Sequence, residues 1–112
     1  MAINWSSVGS DILNAITGVL GPAWQTNYPS ALAQVQAIIA AGQQLDQSLS
    51  GPNPMPQSDY NTLKTMQQRA LEGVLLAYEG IGLIVAQQAA AAAWNALTKA
   101  IATAYPIVGL VL

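Results

Sequence analysis

Glu72 and Glu79 are the two acidic residues whose spacing suits acid–base chemistry. They lie two helical turns apart and so share roughly one face of a helix, where one carboxyl group can donate a proton and the other can accept one. The sequence has no His, no Cys and no glycine-rich phosphate loop to complete an active site. We therefore predict that Glu72 pairs with Arg69 and that Glu79 is solvated or paired between subunits. The protein is predicted to be non-enzymatic, with no cofactor or metal.

Charged residues are scarce along the whole chain. They make up 7% of the sequence, against about 25% in ordinary soluble domains. None occurs in Ile12–Leu45, in Gly80–Thr98 or from Ala100 to the C-terminus. The net charge of −2 provides no basic surface for nucleic acid. We expect much of the surface to face protein or lipid instead of bulk water.

Apolar residues at helical spacing predict an all-α fold with a single domain. The first helix is expected over about 5–20 and ends at Gly21-Pro22. The second is expected over about 29–49, with Pro29 at its first position. Its seam follows coiled-coil spacing and comprises Leu32, Val35, Ile38, Gly42, Leu45 and Leu49.

A proline-rich turn over 50–57 precedes a predicted long helix over about 58–103, and the apolar tail is 104–112. The helix seam is taken as Leu63, Met66, Ala70, Val74, Ala77, Ile81, Ile84 and Gln88. Gly80 and Gly82 weaken this helix, and the pattern leaves open whether it breaks there. Together the elements predict a long antiparallel helical hairpin with a short N-terminal helix, assembling into an oligomeric bundle.

Two candidate contact surfaces follow from this hairpin. A stripe of mostly small residues permits close helix approach, either within the chain or between subunits: Gly73, Ala77, Gly80 and Ile84. Folding at the proline turn also brings most charges to the hairpin tip and leaves an uncharged end beside the termini. The candidate interface residues of that dry end are Trp94, Ile107, Leu110 and Leu112.

Membrane contact is the main alternative to protein contact. Gly80–Thr98 is about long enough to cross a bilayer, but it contains Gln87, Gln88 and Asn95. Those amides favour a wall of an oligomeric channel over an autonomous span. Tryptophan collects at membrane interfaces as well as in cores; the three are Trp5, Trp24 and Trp94. No cation precedes the first apolar residues, so no secretory signal is expected.

The chain has the pair Gln87-Gln88 before Ala89–Ala93, few charges and no Cys or His. In these features it resembles small Ala- and Gln-rich virion proteins of tailed bacteriophages. That resemblance implies a virion or ejection protein that forms a conduit, located in the particle or the host envelope. The chain is also similar in length and predicted shape to secreted helical-hairpin proteins of the Trp-x-Gly type. Its turn, Ser50–Pro54, lacks their tryptophan. We expect a structural homo-oligomer that also contacts other structural proteins; the alternative is a pore-forming or holin-like protein.

Overall fold

The computed structural model describes residues 3–105, and within them the chain forms helices and no strand. The helices are α1 (Trp5–Leu20), α2 (Trp24–Asn27), α3 (Pro29–Ser50), α4 (Gln57–Leu76) and α5 (Leu83–Ala104). The all-α prediction is confirmed. The helices pack into a compact body of 45 × 26 × 18 Å in place of one extended hairpin.

Local sequence signals set both ends of α1. The Asn4 side chain accepts a hydrogen bond from the Ser7 backbone N–H at 3.2 Å, the usual N-cap interaction. At the other end Gly21 adopts a φ of 91° and its N–H donates to the Thr17 carbonyl. Only glycine adopts this φ without steric cost, so the chain turns here toward α2.

The apolar seam of α3 is buried along most of its length. Val35, Ile38 and Leu45 are fully buried, and Leu49 is nearly so. The helix ends before Gly51-Pro52, and the Ser48 hydroxyl accepts a hydrogen bond from the Met55 backbone N–H across the proline turn at 2.7 Å. The chain therefore re-enters helical structure at α4 with its turn hydrogen-bonded to α3.

The single helix expected over 58–103 is two helices in the structure. α4 ends at Leu76, and Gly80 takes a φ of 89°, which a right-handed helix cannot contain. The bend is held by Tyr78, whose ring meets Tyr28 at a centroid distance of 4.8 Å. The Tyr78 hydroxyl also accepts a hydrogen bond from the Ser30 backbone N–H at 2.9 Å. These contacts bind the bend to the start of α3.

The buried faces of α4 and α5 differ from the predicted seam. Met66 and Ile84 lie on that seam but are 61% and 70% exposed. The break interrupts the helical period before Ile84, whereas at Met66, within α4, a different face of the helix is buried. The residues fully buried in α4 are instead Tyr60, Leu71 and Leu75. In α5 the buried face comprises Ala86, Ala89, Ala90, Ala93, Trp94, Leu97, Thr98 and Ile101.

α5 packs against three of the other helices. It packs most extensively against α1 and α4, and also against α3. Its buried alanines let the neighbouring backbones approach closely. At Gly42 of α3, an added Cβ would overlap Cδ1 of Leu97 and lie 3.0 Å from Cη2 of Trp5. Glycine is required there because α5 and the start of α1 both fill that space.

The predicted separation of a charged tip from uncharged termini is not what the structure shows. Asp46, expected at the tip, accepts hydrogen bonds from Trp5 at the start of α1 and Tyr105 just after α5. These two residues lie close to the ends of the described chain. The last turns of α3 therefore sit beside them, because α5 folds back over α3 instead of extending away.

A buried hydrogen bond joins α4 to α5. Trp94 and Tyr60 are both fully buried, and the indole N–H of Trp94 donates to the Tyr60 hydroxyl at 3.0 Å. Burial is the main cause of the raised pKa of Tyr60. The phenol therefore stays neutral and accepts this hydrogen bond in the core.

We expect Tyr60→Phe to lower the free energy of unfolding by about 1–3 kcal/mol, because the buried indole N–H of Trp94 loses its acceptor. Urea unfolding followed by circular dichroism measures this. The control is Tyr78→Phe, which removes a hydrogen bond at an exposed site and should cost less. Equal losses in the two variants would contradict this account of the buried pair.

We expect Gly42→Ala to be less stable than Gly73→Ala by about 1–3 kcal/mol, the usual cost of overpacking. Both substitutions gain the same helix propensity, but an added Cβ at Gly73 meets nothing within 4 Å. The comparison of urea midpoints therefore isolates the contact with Leu97 and Trp5. The account fails if both alanine variants are stabilised equally.

Candidate functional site

Four aliphatic side chains around the α4–α5 bend are exposed to solvent. Leu76 ends α4, and Leu83, Ile84 and Val85 form the first turn of α5. Their exposed fractions are 41%, 52%, 70% and 36%, respectively. We call these four residues the apolar patch. Several exposed aliphatic residues on the two sides of one bend are typical of a contact surface, whereas single ones need no explanation.

The fold holds the apolar patch rigidly. The bend between α4 and α5 is anchored to α3 through Tyr78, and buried Leu75 and Ala86 flank the patch along the chain. The charged residue next to it in sequence is Glu79, and after it the chain has none until Lys99. The patch therefore combines a fixed geometry with an almost uncharged setting.

A groove of about 530 Å³ runs between the first half of α1 and the last half of α5. We call it the α1/α5 groove. Its α1 wall consists of Asn4, Ser7, Val8 and Asp11, with Ile3 before the helix. Its α5 wall consists of Ala96, Lys99, Ala100, Thr103 and Ala104. The volume is within the range of protein ligand pockets, and one carboxylate and one ammonium lie on opposite walls.

Asp46 joins α1, α3 and the end of α5. Its Oδ2 atom accepts a hydrogen bond from the Trp5 indole at 3.0 Å, and its Oδ1 atom accepts one from the Tyr105 hydroxyl. That hydroxyl also lies 3.3 Å from the Asp46 backbone carbonyl. The hydrogen bond to Asp46 raises the pKa of Tyr105, with burial and the carboxylate charge adding to the effect. The cluster thus holds both walls of the groove against α3.

The predicted stripe makes no helix–helix contact within the chain. Gly73, Ala77, Gly80 and Ile84 are all exposed. An added Cβ at either glycine would meet nothing within 4 Å. The stripe is also not continuous, because α4 ends at Leu76. Its use between subunits stays a prediction, with Ile84 as the member that lies in the apolar patch.

Trp94 is not an interface residue in this structure. It is fully buried and hydrogen-bonded to Tyr60 within one chain. The other dry-end residues, Ile107, Leu110 and Leu112, lie outside the described residues. Trp24 is also buried, and its indole N–H donates to the Thr17 hydroxyl at 3.0 Å. Trp5 donates its indole N–H to Asp46, so each of the three tryptophans has a hydrogen-bond partner inside the chain.

The two glutamates differ in their surroundings. Glu72 is half-buried and Glu79 is exposed.

Within residues 3–105, no three acidic, His or Cys side chains group together to hold a metal ion. No helix in that range combines the length and hydropathy needed to cross a membrane. Every buried side-chain nitrogen or oxygen in the described part of the chain has a hydrogen-bond partner.

Sequence reasoning missed the Asp46 cluster and the groove. The partners of Asp46 are 41 and 59 residues away, and no local pattern links such distant positions. The patch did have a signal, since Leu83-Ile84-Val85 is a strongly hydrophobic run. The sequence does not predict that this run is exposed, because its exposure depends on the bend between α4 and α5.

No family model matches the chain, and neither a curated protein nor a solved structure does.

We expect the stability contributed by Tyr105 to be lost at alkaline pH. The folded-state pKa is raised above the ordinary value of 10.0. The contribution is therefore fully present below pH 10 and disappears as pH rises through the folded-state pKa. Urea midpoints from pH 7 to 11 should fall more steeply for the wild type than for Tyr105→Phe. Tyr60 titrates in the same direction in both proteins. Parallel curves would contradict this assignment.

Proposed function

We propose that this protein is a non-enzymatic structural protein that self-associates through the apolar patch. The observation that carries the proposal is the 70% exposure of Ile84 beside Leu83 at 52%. Both belong to the first turn of α5, together with the 36% exposed Val85, whereas Leu97 and Ile101 farther along the helix are fully buried. A protein with so few charges gains solubility by covering such a surface with another copy.

The apolar patch alone supplies too little free energy for a stable assembly. Fully burying one Val, Leu or Ile side chain stabilises by about 1.5–3 kcal/mol. The four patch residues are only partly exposed, so burying the remainder supplies about 3–6 kcal/mol. Association itself costs about 4–15 kcal/mol in lost freedom of motion. A stable assembly must therefore add packing or electrostatic contacts beyond the patch.

The resemblance to phage virion proteins supplies the biological setting of the proposal. A conduit or shell requires many copies in repeated contact, and uncharged helical surfaces suit such contacts. Purified particles containing the protein would support a virion or ejection role. The membrane-active alternative uses the same patch, with lipid in place of a second copy. Co-sedimentation with anionic and zwitterionic vesicles distinguishes the two.

We expect Ile84→Glu to prevent self-association, because the contact would have to desolvate a carboxylate. Sedimentation velocity over a range of concentrations measures the oligomer. The matched control is Ala37→Glu, which adds the same charge at an exposed position of α3 and should assemble like the wild type. A wild-type protein that stays monomeric and binds no vesicles would overturn the proposal. Vesicle binding by a monomer that Ile84→Glu abolishes would establish the membrane alternative.

A further inference from the structure

The apolar patch and the α1/α5 groove lie at opposite ends of α5. Ile84 is in the first turn of the helix and Ala100 is near its end. Sixteen residues separate them, a distance of about 24 Å at 1.5 Å per residue. The patch of one chain therefore cannot enter the groove of the same chain.

The groove is a concave apolar surface that large aliphatic side chains can enter. Its α5 wall presents Ala96, Ala100 and Ala104, whose small side chains leave a concave surface of mostly carbon atoms. The patch presents only large aliphatic side chains, from the end of α4 and the first turn of α5. Binding of an apolar helical surface in a hydrophobic groove is a recurring recognition mode.

Charges on the two surfaces are complementary. Glu79 lies at the patch and Lys99 lies in the groove, so docking brings opposite charges together. Asp11 on the other wall meets the N-terminal end of the docking α5. That helix has no acidic residue in its first turn and no side-chain cap, and its unpaired N–H groups and macrodipole favour a nearby carboxylate.

We infer that the apolar patch of one copy docks into the α1/α5 groove of the next copy, a head-to-tail contact. This inference rests on the proposed function and specifies which two surfaces meet when copies associate. Such a contact uses two different surfaces of each chain, so it builds closed rings or open filaments. A contact of patch against patch would stop at a two-fold dimer. Head-to-tail growth builds the rings or filaments from which a conduit can be made.

Two variants that each lack one surface provide the test. The patch variant is Ile84→Glu. The groove variant is Ser7→Glu with Lys99→Glu, at exposed positions on the two walls. It removes the partner of Glu79 and places two carboxylates in the contact. Ser7→Glu should not harm α1, because a Glu three residues after an N-cap is favourable. Its matched control is Ser58→Glu with Lys64→Glu, the same changes on α4.

Each surface variant alone should be monomeric, and an equimolar mixture should form a dimer of one copy of each, measured by sedimentation velocity and native mass spectrometry. The mixture restores one good interface and cannot grow further. The α4 control should assemble like the wild type. A groove variant that still dimerises by itself would overturn the inference in favour of a patch-to-patch contact, leaving the proposed function intact. A mixture that stays monomeric would overturn it as well.

A charge exchange tests the same contact with a milder change. Lys99→Glu alone should weaken association about fivefold, as expected for an exposed ion pair. Adding Glu79→Lys to the same chain should restore wild-type association, because every interface regains opposite charges. If Glu79→Lys deepens the loss instead of reversing it, Glu79 and Lys99 do not meet across copies.

Discussion

Close packing around the alanine-rich helix α5 is the constraint on which the rest of the structure depends. Half of its buried residues are alanines, and α1, α3 and α4 all pack against it. The tightness of this packing appears at Gly42, where an added Cβ would overlap the Leu97 side chain of α5 and press on the Trp5 ring of α1. Large side chains from the helices fill the remaining space, as close-packed interiors require.

The buried and half-buried aromatic residues with polar tips hold the core in one arrangement. Each tryptophan donates its indole N–H to a partner from elsewhere in the chain: Asp46, Thr17 or Tyr60. A core of alanine alone would allow the helices to slide, because one small residue packs much like another. Directional hydrogen bonds remove that freedom. Tyr78 performs the same task at the bend by contacting both Tyr28 and the start of α3.

The bend is also what creates the surfaces that carry the proposed function. Had α4 and α5 been one helix, Leu83-Ile84-Val85 would continue a helix interior. Breaking at Gly80 makes those residues the first turn of a helix end, where they lack cover within the chain. The same fold-back lays the end of α5 along the start of α1 and opens the groove between them. One local change of direction therefore creates both surfaces of the proposed head-to-tail contact.

Local features of the sequence determined the helical fold, the N-cap of α1 at Asn4, its end at Gly21 and the buried face of α3. These depend on residues within a few positions of each other, through capping and periodicity. Tertiary structure alone decided the other features. Gly80 takes its positive φ while Tyr78 packs on Tyr28, a residue distant in sequence. Asp46 meets Trp5 and Tyr105 only because α5 folds back. Such contacts depend on how whole helices pack. Helical periodicity predicts which face of a helix is buried, but it does not predict which helix that face contacts.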